Sequence, residues 1–77
     1  MKVFVAIYSH EYGEDVRAFQ SLKSAEAWKD EIGDEWFSHE FPSDPRPDDN
    51  IGEVYFSMQL NSGGDEWFSV TETDIEP

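Results

Sequence analysis

Cysteine is absent from the 77-residue chain, which excludes disulfides, thiol nucleophiles and thiolate metal sites and leaves packing to hold the fold. Basic residues are nearly as scarce. Five Lys and Arg stand against 18 Asp and Glu, so a direct grip on nucleic acid or on an anionic membrane, each of which needs a cationic footprint, is not expected. Long apolar runs are missing too: segment 1–8 carries one positive charge and is too short for a signal peptide or a membrane span. Together with the lack of cysteine, this fits a reducing cytoplasm. No Gly-x-Ser-x-Gly, phosphate-loop or calcium-loop pattern occurs. The chain therefore reads as a non-enzyme without a cofactor or metal.

What is present is acid and aromatic. Leu, Ile, Val and Phe make up 17 residues of 77, about 22 per cent and just above the rough 20 per cent line below which a highly charged chain stays disordered. Three Trp and three Tyr lift it clear, so a folded single domain over 1–77 is expected, with a core richer in aromatics than in leucine. The charge is lopsided. Residues 1–29 balance four acids with four bases, whereas residues 30–77 hold fourteen acids and only Arg46, so this segment carries the whole net charge of −13. A basic partner is favoured.

Two short stretches repeat. Gly33-Asp34-Glu35-Trp36-Phe37-Ser38 returns as Gly64-Asp65-Glu66-Trp67-Phe68-Ser69, and Ser9-His10-Glu11 returns as Ser38-His39-Glu40. Two imidazoles with carboxylates could bind a metal ion if those segments met, but the spacing within each copy matches no ligand motif, so the histidines read as exposed loop residues.

Segment 2–9 is β-branched and aromatic without a breaker, Gly13 follows in a polar stretch, and 15–20 alternates, which predicts an antiparallel hairpin. Ser21 and Ser24 are candidate N-caps for a helix over about 22–39, in which Ala25, Trp28, Ile32 and Trp36 form an apolar stripe. Gly33 could end it, but Trp36 keeps the stripe and argues for continuation. Three prolines between 41 and 50 predict an extended acidic loop. Val54, Phe56, Met58 and Leu60 alternate with polar positions, Asn61-Ser62-Gly63-Gly64 signals a turn, and 65–73 alternates again, which predicts a second hairpin.

The expected architecture is α+β: a four-stranded antiparallel sheet in the order β-β-α-β-β with one amphipathic helix on one face. Val3, Val5, Ile7, Val16, Ala18, Val54, Phe56, Met58, Phe68 and Val70 would face the helix. Phe4, Tyr8, Phe19, Tyr55 and Trp67 would line an uncovered aromatic face, a candidate surface for homodimerisation.

The acids suggest a decoy. Rows of carboxylates on a small fold can approach the charge density of a duplex and occupy a cationic nucleic-acid channel, with aromatics between them adding dispersion. Asp30, Glu31, Asp34, Glu35, Asp65 and Glu66 are the expected charge carriers, with Tyr55 and Trp67 as anchors. Small size, a charge of −13, the acid-aromatic repeats and the expected element order resemble the acidic nucleic-acid-mimic inhibitors of phages and mobile elements, anti-CRISPR proteins among them. Segment 8–16 is also similar to a first hairpin of small phage and bacterial proteins. The resemblance is one of composition and size and carries over no site residues. It implies a stoichiometric inhibitor of a basic, nucleic-acid-binding protein of host defence or DNA processing. The alternative is a soluble interaction domain that dimerises through the uncovered face, its acids serving solubility.

Overall fold

The computed structural model describes residues 1–76, with strands β1 (Lys2–His10) and β2 (Gly13–Phe19), helices α1 (Leu22–Glu40) and α2 (Ile51–Asn61), and strand β3 (Trp67–Asp74) in chain order. The hairpin forms as the alternation dictates, with His10 opposite Gly13 at its tip. Gly13 takes φ 127°, a conformation open to glycine and strained for other residues. Ser21 caps α1, its Oγ accepting from the Ser24 amide at 3.1 Å. The helix then runs through Gly33 to Glu40.

The four-stranded expectation is overturned. The sheet has three antiparallel strands in the order β2-β1-β3, and segment 51–61, expected as a strand, is α2. Its alternating apolar positions overlap a helical set, since the buried residues Gly52, Tyr55, Phe56 and Gln59 recur at three and four. A short apolar run satisfies both periods, and tertiary context decides. Here the context is α1. An ideal Cβ on Gly52 would lie 2.6 Å from the carbonyl carbon and oxygen of Lys29, and one on Gly33 would lie 2.9 Å from the Gly52 Cα. Two glycines thus let the helix backbones touch. Asn50, at the N-cap of α2, makes no side-chain cap bond; Asp30 of α1 reaches across instead, its Oδ1 accepting from the Gly52 amide at 2.9 Å. The helix ends in a Schellman turn: Gly63 adopts φ 74° and the Gly64 amide donates to Gln59 O at 2.8 Å.

Both helices lie on one sheet face; on β1 and β2 that face is the opposite of the expected one, whereas on β3 Phe68 and Val70 turn inward and Trp67 outward as expected. Phe4, Tyr8, Phe19, Phe68 and Val70 pack against the buried cluster of Ala6, Ala25, Trp28, Ile32, Phe37, Tyr55 and Phe56. By register, Val3, Val5, Ile7, Val16 and Ala18 point the other way. Aromatic rings fill the layer between the sheet and the helices, as in the edge-on contacts of Trp28 with Phe68 at 5.4 Å and of Phe56 with Tyr8 at 5.8 Å. The other face is accordingly aliphatic on β1 and β2 and carries Ser69, Thr71 and Thr73 on β3, with Trp67 its one large aromatic. Phe37 is 1% exposed and Trp36 39%, so Phe37 takes the core position expected of Trp36. In both copies of the hexapeptide it is the phenylalanine that enters the core.

Candidate functional site

The outer half of α1 carries Trp28, Glu31, Ile32, Glu35, Trp36, His39 and Glu40 at spacings of three and four, which sets them on one face. This face forms one wall of a cleft of about 760 Å³. The opposite wall comes from the hairpin, through Tyr8, His10, Glu11, Tyr12, Asp15 and Arg17. Gln59, Gly64, Asp65 and Glu66 close one end. Seven carboxylates line this space against one guanidinium. Only Asp15 among the seven has a basic side chain within ion-pair reach, the imidazole of His10 at 3.1 Å. Among the described residues the remaining six make no ion pair.

At the closed end lies a carboxylate clamp. Tyr8 donates its hydroxyl to Glu66 Oε1 at 2.5 Å and Tyr55 donates to Glu66 Oε2 at 3.0 Å. Gln59 Nε2 in turn donates to the Tyr55 hydroxyl at 3.2 Å. Burial first, and the Glu66 carboxylate second, hold both phenols above the usual tyrosine range. Tyr12, at the exposed rim, is also raised, because its hydroxyl bonds the carboxylate of Glu11.

The expected site residues separate into three groups. Glu31, Glu35, Asp65 and Glu66 converge on the cleft. Asp30 and Asp34 leave it: Asp30 caps α2, and Asp34 holds Arg46, whose guanidinium also donates to Ser38 Oγ at 3.1 Å. Tyr55 is fully buried and serves the clamp, while Trp67 projects from the uncovered sheet face and is 47% exposed. Residues not foreseen complete the walls, above all Trp36, Tyr12, Glu40 and Arg17. For Glu40 the sequence held a signal. The Ser-His-Glu echo brings His10 with Glu11 and His39 with Glu40 to the same cleft from the ends of β1 and α1. The groups are spread along the walls, and among the described residues no three His, Asp or Glu side chains are placed to hold a metal ion. No described helix is long and apolar enough to cross a membrane. The chain matches no family model, no curated protein and no solved structure.

Proposed function

We propose that this protein is a stoichiometric inhibitor that takes a basic segment of a nucleic-acid-binding protein into its cleft and so keeps nucleic acid off that protein. The observation that carries this reading is the imbalance of the cleft lining, seven carboxylates to one guanidinium, in a space bordered by exposed aromatic rings. Along α1 alone, Glu31, Glu35 and Glu40 are separated by about 6 and 7 Å of helix axis. With the facing carboxylates added, the charge per length approaches that of a single nucleic-acid strand, one per roughly 3.4 Å. A polycation that leaves its phosphates for this cleft exchanges one anionic lattice for another and gains ring contacts.

The test is displacement. An arginine-rich peptide preloaded with a labelled oligonucleotide should release it on addition of the wild-type protein, with an affinity that falls steeply between 50 and 200 mM salt. The double variant Glu31→Lys/Glu35→Lys should lose at least tenfold, whereas Asp44→Lys/Asp48→Lys, an equal change of charge in the 41–50 loop, should lose much less. Equal losses, or binding indifferent to salt, would refute a role for the cleft.

A second reading rests on the uncovered sheet face. Val5, Ile7, Val16, Ala18 and Trp67 lie there by register, beside Ser69, Thr71 and Thr73 and with Glu14 as the one carboxylate of the three strands; Val16 is 60% exposed, whereas Val3 on the same face is 8% exposed. Two copies can meet on it with their acidic walls turned apart. Three strands about 4.8 Å apart and some 25 Å long give a footprint of roughly 350 Å², under half of what each partner buries in a standard interface. The expected dimer is thus weak. Sedimentation at rising concentration should show it, and Trp67→Ala should abolish it; a wild-type protein that stays monomeric at millimolar concentration eliminates this reading.

A further inference from the structure

The cleft already contains a cation, and its placement is informative. Arg17 is the one full positive charge in the lining, surrounded by carboxylates, yet among the described residues it makes no ion pair. Its Cζ instead sits 4.4 Å from the ring centroid of Trp28. Within an acidic enclosure the guanidinium has settled on an indole face, where a planar, weakly hydrated cation gains both stacking and attraction to the ring quadrupole. A lysine ammonium, compact and strongly hydrated, gains less from such a face.

Eight residues along the same wall, about 12 Å of helix axis, is a second indole. Trp36 is 39% exposed, is held from one side by His39 at a ring separation of 5.9 Å, and is flanked by Glu35 and Glu40. Among the described residues no cation stands over it. Trp28 is a core residue, 6% exposed, with its one accessible side taken by Arg17; Trp36 stands open on the same wall.

We infer that the cleft selects guanidinium groups over ammonium groups at two indole positions, the first filled by the protein's own Arg17 and the second, over Trp36, open to an arginine of the partner. This deepens the reading of the cleft as a receptor for a basic segment and rests on it. Arg17 then acts as a resident competitor. Removing it opens a second position roughly 12 Å from the first, a separation that two arginines four apart span in an extended peptide, at about 3.3 Å per residue.

The experiment uses two capped peptides of glycine with either two arginines or two lysines four positions apart, titrated into folded protein. Wild type should prefer the arginine peptide roughly two- to fivefold, the range expected of one exposed cation–indole contact. Trp36→Ala should bring the two peptides to equal affinity. Arg17→Lys keeps the net charge and removes the resident stack, and should widen the preference for arginine. Circular dichroism confirms the fold of each variant. If Arg17→Lys and Trp36→Ala shift both peptides alike, the cleft reads charge alone: the indole positions are refuted and the acidic receptor survives. If neither peptide binds wild type or Arg17→Lys, the receptor reading fails with them.

Discussion

Gly52→Ala is expected to lower the melting temperature by about 8 to 16 °C. The added methyl would meet the carbonyl carbon and oxygen of Lys29 at 2.6 Å and the Asp30 nitrogen at 2.7 Å. All three are backbone atoms, so no rotamer change relieves the contact, and α2 must move off α1. Overpacking of this kind costs about 1 to 3 kcal/mol. Separation also stretches the bond from the Gly52 amide to Asp30, a cap of about 1 kcal/mol, and the exposed ion pair of Lys29 with Glu53. Alanine returns about 1 kcal/mol of helix propensity. The net is about 2 kcal/mol, in a domain whose whole stability is roughly 4 to 12 kcal/mol at this length, and each kcal/mol moves the midpoint by about 4 to 8 °C. Gly33→Ala faces contacts of 2.9 to 3.0 Å, mid-helix, and should lose less. Thermal melts followed by circular dichroism rank the two; a Gly52→Ala midpoint within a few degrees of wild type would show that the helices do not depend on this contact.

A second large effect is expected in alkali. Tyr8 and Tyr55 keep their protons in the folded state beyond the ordinary tyrosine range, through burial and then through Glu66. In the unfolded chain both ionise near pH 10. Below that pH both states carry the protons and the clamp contributes fully. Above it the unfolded chain binds fewer protons than the folded one, so stability falls as pH rises. The slope approaches about 1.4 kcal/mol per pH unit for each tyrosine, enough for the pair to consume most of a small domain's stability within two to three units. Urea unfolding between pH 8 and 12 should show this decline, and Tyr8→Phe should make it shallower by one tyrosine's share. Parallel curves for wild type and Tyr8→Phe would mean that the phenol of Tyr8 is not held neutral by the fold.

The amino-terminal half of the fold was legible because its signals are local and agree. Gly13 marks the tip, Ser21 the cap, and the Trp28–Ile32 spacing the helix, which ends within a residue of its expected limit. Residues 51–61 were not, because their apolar positions serve two periods and the deciding contact, Gly52 on Gly33, joins distant parts of the chain. A local helix signature was nonetheless present: Asn50 with Glu53 at the N3 position, and Gly63 after the last turn. The inner face of β1 and β2 was inverted, while that of β3 was not, because β1 is apolar at nearly every position and alternation cannot say which side is inner; the pairing of Phe4 with Phe19 and of Tyr8 with Phe68 decides it. At the site, the acidic character of the surface was readable and its division of labour was not. Asp30 and Asp34 could be told from Glu31 and Glu35 only once α2 and Arg46 had positions.

β1 pairs with β3 so that Lys2 lies opposite Asp74, and the Ile75 amide donates to Met1 O at 2.8 Å. The cleft gathers at the His10 end of the same strand, about 25 Å away at the usual rise per residue, in a molecule 49 Å along its longest axis. Residues 1 and 75 therefore lie side by side at the end remote from the cleft. A reporter, an affinity handle or a surface attached at either point holds the protein with its acidic mouth facing outward, and two copies joined there in tandem would present two mouths to one polycationic chain.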